Sequence, residues 1–261
     1  MCITIKRMIP SQVAMTNPIY AIGDIHGQLA ELHRAIALIE ADGGQDAKIV
    51  FLGDYTDRGP DSRSVIEFLM EGQAQGRNWT LLKGNHDDMF WKFMQIPPQH
   101  EPFLPAELHW LHPRLGGDTT LGSYGVDADG KRRMTHIHAE ALEAVPQSHV
   151  DFLNNLQMSY ETENLFFAHA GIIPGVALNE QSEFDLMWVR QEFHNHQDPH
   201  PKIIVHGHTP VSQATHYGNR VNLDSGAGYG KPLTAAVFEN DAVYRLASTG
   251  RDALIPLHLA K

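Results

Sequence analysis

The sequence predicts a layered α/β fold, and three observations carry that expectation. First, the unit of apolar strand, polar turn and helix recurs three times between residues 19 and 90, as in α/β layered proteins. Second, the C-terminal half changes to short β-type runs, so strands outnumber what the three early units supply. Third, 42% of the 261 residues are hydrophobic and 20% charged, an ordinary globular balance with enough chain to bury a sizeable core.

The elements follow in order. Residues 1–17 read as a loosely held lead-in, and residues 18–261 as one domain. Ile19-Tyr20-Ala21-Ile22 is a strand ending in Gly23-Asp24-Ile25-His26-Gly27. Leu29, Leu32, Ile36 and Ile39 share one face of a helix, which Gly43-Gly44 stops. Ile49 to Leu52 is a continuous apolar run, read as a buried strand, and it launches Gly53-Asp54-Tyr55-Thr56-Asp57-Arg58-Gly59. A helix from about Ser62 to Gln75 points Val65, Ile66 and Leu69 inward. The strand Thr80-Leu81-Leu82 closes in Lys83-Gly84-Asn85-His86-Asp87.

Prolines and glycines break up residues 95–135, which read as a loop-rich insertion with short helices on the active face. Ser148 to Asp151 resembles a capping box for a helix to about Leu156. Leu165 to Ala168 is a strand ending in His169-Ala170-Gly171, and Ile203 to Val205 another, ending in His206-Gly207-His208-Thr209. Val221–Leu223, Thr234–Glu239 and Ala242–Leu246 complete the β set, the last two joined as a hairpin at Asn240-Asp241.

Charge and composition exclude several roles. Lys+Arg number 20 against 31 Asp+Glu, a net charge of −11, which argues against coating nucleic acid. A single cysteine, Cys2, rules out an internal disulfide and a cysteine-rich zinc site. No apolar run approaches the ~18 residues of a membrane span, and no signal peptide is recognisable. A cytoplasmic protein without a membrane partner is expected.

Five apolar strands thus end in side chains able to bind metal or phosphate: Asp24 and His26; Asp54, Asp57 and Arg58; Asn85 and His86; His169; His206 and His208. Carboxyl ends of neighbouring strands share one sheet edge, where α/β proteins bind ligands. Each cluster has a plainer reading. Asp57 or Asp61 could cap the helix at Ser62, Gly-Asn-His could be a turn with a left-handed asparagine, and each histidine could belong to the core or rim. Five such strand ends in one chain favour a shared site. Its carboxylate, imidazole and amide donors suit manganese, iron or zinc.

GDIHG (23–27), GDYTDRG (53–59), GNHD (84–87), HAG (169–171) and GHT (207–209) resemble the ordered motifs of the metal-dependent phosphoprotein phosphatases of the calcineurin-like metallophosphoesterase superfamily. The bacterial and phage branch is the more similar. There the middle often carries a pattern like Trp110-Leu111, Gly116-Gly117, Thr120-Leu121 and Ser123-Tyr124-Gly125. Eukaryotic members differ in having Glu at the position of Asp87, Gly at Ala170, and another loop in place of Ser225 to Tyr229. The resemblance implies a central β-sandwich flanked by helices, with the site at strand ends. It also implies two divalent ions, manganese foremost. Asp24, His26 and Asp54 would hold one, and Asp54, Asn85, His169 and His208 the other.

By the same resemblance, the reaction is direct attack of an ion-bridging hydroxide on a phosphomonoester. His86 would protonate the leaving group with Asp57 fixing its tautomer, Arg58 and Arg190 would bind phosphate oxygens, and Tyr229 would lie near the substrate with Asn85. The substrate implied is phosphoserine or phosphothreonine in protein, with tyrosine a further option, and no obligatory regulatory subunit. Two alternatives stand beside this. One is a diadenosine-tetraphosphatase-like hydrolase of dinucleoside polyphosphates; the other is a phosphate-binding module without catalysis. His136, His138, His194, His196 and His200 are expected on solvated segments rather than at a third metal.

Overall fold

A computed structural model of the chain describes residues 17–105 and 107–257; the lead-in expected at 1–17 lies almost wholly outside them. Strand β1 (Ile19–Ile22) leads to helix α1 (Leu29–Gly43), β2 (Lys48–Phe51) to α2 (Ser62–Ala74), and β3 (Trp79–Leu81) to α3 (Asn85–Phe93). The middle holds α4 (Gly117–Ser123), α5 (Met134–Ala144) and α6 (Gln147–Asn154). Then follow β4 (Ser159–Glu161), β5 (Leu165–Ala168), α7 (Glu183–Trp188), α8 (Gln191–His194), β6 (Ile203–His206), β7 (Thr215–His216), β8 (Arg220–Asn222), β9 (Ala235–Glu239), β10 (Ala242–Ala247) and β11 (Gly250–Ala253).

Two sheets form. One has the order β11-β10-β9-β1-β2-β3, parallel across β1, β2 and β3 and antiparallel beyond. The other has the order β4-β5-β6-β8-β7, with β5, β6 and β8 parallel. Period-two alternation sorts their side chains into layers. Ala21, Val50 and Leu52 of the first sheet meet Phe167, Val205 and Val221 of the second in a shared core. Tyr20, Ile22, Ile49 and Phe51 point the other way, onto Leu32, Ile36, Ile39, Val65, Ile66 and Leu69 of α1 and α2. Phe166, Ala168 and Ile204 face outward onto Leu186, Val189 and Phe193. The stack is helix, sheet, sheet, helix: the expected sandwich, held by burial of two apolar faces per sheet.

Gly44 closes α1 with a φ of 82°, and Asn240 and Asp241 take φ of 49° and 63°, the conformation a two-residue hairpin requires. Several expectations need correction. The box at Ser148–Asp151 does not cap α6: the helix begins one residue earlier, after Pro146 as N-cap. Proline with its fixed φ starts the helix there, and Asp151 instead accepts from the Gln147 amide at 2.9 Å. Strand β3 begins at Trp79 and β8 at Arg220, one residue ahead of the expected starts. Helix α3, which completes the third strand–turn–helix unit, opens directly on Asn85, so Asn85 and His86 stand in its first turn rather than in the turn before it. Strands β4, β7 and β11 had no apolar signature to find; every residue of β11 is exposed.

Candidate metal centre and active site

Each candidate residue sits where a strand stops. Asp24, Asp54 and Asn85 follow β1, β2 and β3; His169 and His208 follow β5 and β6. The turns of the two sheets are laced together. The His208 N–H donates to both Asp24 oxygens at 2.9 and 3.2 Å, Gly207 N–H to the His169 carbonyl at 2.8 Å, and His86 N–H to Asp54 Oδ1 at 2.9 Å. Asp87 ties two turns of the first sheet by accepting from Tyr55 N–H at 2.9 Å and Gly84 N–H at 3.0 Å. The packing is tight enough that a Cβ on Gly84 would lie 2.2 Å from Asp54 Oδ1.

The backbone here is strained. Among the described non-glycine residues, positive φ occurs at His26, Asp54, Asp57, Arg58 and His208, and otherwise only at the Asn240-Asp241 hairpin. Each such residue costs on the order of 1–2 kcal/mol, so five in one place mark a geometry held against local preference.

Two groups of ligand-type atoms converge: His26, Asp54 and His86 in one, Asp54, His169 and His208 in the other. Asp54 belongs to both, with Oδ2 3.5 Å from His26 Nε2 and Oδ1 3.4 Å from His169 Nε2. The donor chemistry fits cations. His169 Nδ1 lies 2.8 Å from the Leu52 carbonyl, which can only accept, so the proton is on Nδ1 and the Nε2 lone pair faces Asn85 Oδ1 at 3.0 Å. His26 is oriented likewise, through Nδ1 and the Thr56 carbonyl at 2.8 Å. His208 keeps Nδ1 2.8 Å from Asn85 Oδ1, and its buried Nε2 has no hydrogen-bond partner among the described residues. Lone pairs converging on one carboxylate and one amide oxygen call for positive charge between them.

Electrostatics agree. Burial holds His26, His169 and His208 below the usual imidazole range, which keeps them neutral and available as ligands. Burial first, then Asp224 and Asp54, push Asp24 well above the carboxylate range. Asp224 is pushed up to about 6, by burial and then Asp54, against the Gly226 N–H that it accepts. A buried Asp24 raised by burial and then by the charges of Asp224 and Asp54 is what a divalent cation would relieve. Asp24 belongs to neither three-residue group, its oxygens being turned to the His208 N–H.

The other expected residues surround this centre. His86 Nδ1 is 2.6 Å from Asp57 Oδ2, and Arg58 reaches the Nε2 atoms of both His86, at 3.0 Å, and His26. Asn85 and His86, though consecutive, point to different partners. Tyr229 is 61% exposed and lies over the Arg58 guanidinium at 4.9 Å. Arg190 is exposed, and its charge helps to lower His169 and His208. Asp57 caps no helix: buried completely, it takes its bonds from His86, Trp110 and Thr120.

Of the histidines expected on solvated segments, His136 is exposed as expected, whereas His138, His194, His196 and His200 pack against neighbouring rings. His138 is buried against Phe93 at 5.3 Å. His194 and His200 pack on Phe193 at 5.8 and 5.6 Å, and His196 stacks on His200 at 4.8 Å. Burial lowers His194 and His200 to about 4, and neither joins a ligand group among the described residues. Replacing either with glutamine is expected to leave the protein's metal content unchanged, which elemental analysis of purified variants checks.

Sequence reasoning passed over Asp224, Trp110 and Thr120. Asp224 had a signal, since it follows the apolar run Val221–Leu223 as the other site residues follow theirs. Trp110 and Thr120 had none beyond the family pattern that includes them.

Paired nitrogen–oxygen ligand groups sharing one carboxylate, at the strand ends of a double-sheet sandwich, define a candidate metal centre. The model of the calcineurin-like phosphoesterase family matches residues 17–243, and the chain belongs to that family of divalent-metal hydrolases. Among curated proteins it is similar to the asymmetrical bis(5′-nucleosyl)-tetraphosphatase PrpE of Oceanobacillus iheyensis, with 27% identity over 87% of this chain and 91% of the relative. The protein of that name from Bacillus thuringiensis is 27% identical over 82% of this chain and 87% of its own. A solved candidate diadenosine tetraphosphatase superposes with a TM-score of 0.61 at 21% identity, covering 88% of this chain and 93% of that one. The cold-active protein tyrosine phosphatase of a psychrophilic Shewanella gives 0.57 at 18%, covering 92% and 81%. These two structural likenesses concern the fold. Among the described residues no helix is long and apolar enough to cross a membrane.

Proposed function

We propose that this protein hydrolyses dinucleoside tetraphosphates off-centre, adding one water across a phosphoanhydride bond to release a nucleoside monophosphate and a nucleoside triphosphate. The observation that carries the substrate is the match, along nearly the full length of both chains, to curated relatives with that activity in their names. It favours the dinucleotide over the phosphoprotein that the motifs first implied.

In this reading Asp24, His26 and Asp54 hold one divalent ion, and Asp54, Asn85, His169 and His208 the other. When bound, such ions supply Lewis acidity, activating water and gripping phosphate oxygens. The ligands being oxygen and nitrogen, manganese is the ion of choice, with iron and zinc also suited. Arg58 and Arg190 bind non-bridging oxygens and strengthen their hold as charge develops. Tyr229, over Arg58, flanks the same phosphate site. His86, whose Nε2 accepts from Arg58 here, would donate a proton from that atom to the departing oxygen once Arg58 turns to the phosphate, while Asp57 accepts the Nδ1–H and fixes the tautomer. The net charge of −11 does not oppose this, because two ions against Asp24 and Asp54 leave the centre positive.

A second reading, hydrolysis of phosphomonoesters on serine, threonine or tyrosine side chains, is favoured by one observation. The buried His86–Asp57 pair suits a basic leaving group such as an alkoxide, whereas a nucleotide leaves with little protonation. Side-by-side turnover of diadenosine tetraphosphate and phosphopeptides decides. The dinucleotide is expected to have a kcat/KM roughly tenfold higher or more, with ATP and AMP in equal amounts. A phosphopeptide preference, or two molecules of ADP as product, overturns the assignment.

A further inference from the structure

The middle segment carries the Trp-Leu, Gly-Gly, Thr-Leu and Ser-Tyr-Gly pattern without any of its residues entering the ligand groups. The structure gives the pattern a common target. Trp110, buried, donates its indole N–H to Asp57 Oδ2 at 2.8 Å, the oxygen that also faces His86. Thr120, fully buried, donates its hydroxyl to Asp57 Oδ1 at 2.7 Å and accepts the Asp57 N–H at 2.8 Å. The Gly116 carbonyl accepts the Arg58 N–H at 3.2 Å. Gly116 must be glycine there: its φ is +90°, and a Cβ would lie 2.4 Å from Arg58 N. A Cβ on Gly117 would enter the Trp110 indole at 2.5 Å. The indole itself stacks on Phe90 at 5.0 Å and packs on Phe93 at 4.9 Å, both on α3, the helix whose first turn carries Asn85 and His86.

We propose that the segment from Trp110 to Thr120 is a clamp on the Asp57–Arg58 turn, and that Trp110 and Thr120 are positioning residues for the reaction, acting through Asp57 on His86. The inference rests on the reading of His86 as proton donor. Asp57 and Arg58 are consecutive residues at φ of 73° and 67°, a conformation that L-residues hold only when their surroundings impose it. Bonds from Thr120 and Gly116 impose it here. With Oδ1 committed to Thr120 and Oδ2 shared by Trp110 and His86, the carboxylate has one orientation, and so has the imidazole. The side chains of Trp110 and Thr120 bond to Asp57 and not to Arg58 or the ligand groups, so their influence is routed through Asp57 to His86.

The test uses the metal-loaded enzyme and two aryl phosphates, phenyl phosphate with the more basic leaving group and p-nitrophenyl phosphate with the less basic. Trp110→Phe keeps the stack on Phe90 but removes the N–H; Thr120→Val keeps the shape but removes the hydroxyl; Thr120→Ser keeps the hydroxyl. Trp110→Phe and Thr120→Val are expected to lower kcat on phenyl phosphate roughly 10–100-fold, the usual effect of losing an outer-shell partner, with KM and metal content held. On p-nitrophenyl phosphate the loss should be a few-fold at most, and Thr120→Ser should recover most of the rate. In a His86→Asn background neither substitution should lower turnover further, because residues acting through one group are not additive. In zinc-loaded protein, the proton resonance of the His86–Asp57 bond, identified by its loss in His86→Asn, should shift or broaden in Trp110→Phe and Thr120→Val. Equal losses on both substrates, additivity with His86→Asn, or an unmoved resonance would each overturn the clamp. If His86→Asn itself lacks leaving-group dependence, the reading of His86 fails instead.

Discussion

Replacing His86 by asparagine is expected to lower turnover of phenyl phosphate, whose leaving group is basic, by roughly 10²–10⁴, the usual worth of general acid catalysis, while the protein keeps its full complement of metal. The expectation rests on how both imidazole nitrogens are engaged. Nδ1 is committed to Asp57 at 2.6 Å, and Nε2 faces Arg58 at 3.0 Å. Although His86 stands close enough to Asp54 and His26 to complete a ligand group, Asp24 is the residue proposed to serve the ion there. Metal analysis beside turnover separates the two roles. Activity lost and metal kept supports the acid; activity that returns in excess manganese would make His86 a ligand. The loss should shrink on p-nitrophenyl phosphate, whose leaving group needs little protonation, and Asp57→Asn should reproduce it more mildly.

Asp54→Asn is expected to have the larger effect, beyond the roughly 10²–10³ of a single lost electrostatic contact, and to lower the content of both ions together. Asp54 is the one residue common to the two ligand groups, and it is buried, with one oxygen toward His26 and the other toward His169. An amide keeps the size but offers one oxygen and no charge, so each group loses part of its shared anion. Asn85→Ala, by contrast, should weaken one ion only and be partly restored by excess manganese. Chelation of the wild-type protein should match Asp54→Asn in activity. Full turnover with metal content shown to be nil would end the two-ion reading.

Much of the centre was legible along the chain because its parts are local. A run such as Ile49 to Leu52 has to be buried, and whatever polar residues follow it are delivered to the end of a strand. Asp24, Asp54, Asn85, His169 and His208 are candidate residues read this way, and the parallel order of β1, β2 and β3 brings the first three to one edge. Where local chemistry is ambiguous, reading failed. Asp57 before Ser62 fits a helix cap as well as a catalytic turn, and Ser148 to Asp151 fits a capping box that Pro146 pre-empts. The histidines after Arg190 looked solvated because single-chain polarity does not register a phenylalanine beneath them. The motifs pointed to phosphoprotein while the relatives favour a dinucleotide, because the residues the motifs name would handle a phosphate and not what is attached to it.

By itself the sequence determined the layered α/β class, the strand ends that carry the candidate ligands and the nitrogen–oxygen chemistry of that proposed donor set. Each follows from residue types within a few positions of one another. Only the tertiary structure decided which oxygen of Asp54 turns to which histidine, that Asp224 joins the buried carboxylates, and that Asp57 is held by Trp110 and Thr120, 53 and 63 residues away. The physical reason is that a hydrogen bond needs its partners within about 3 Å and aligned. Over such separations that proximity comes from the packing of α4 against α2 and of Trp110 against α3, which no local pattern encodes.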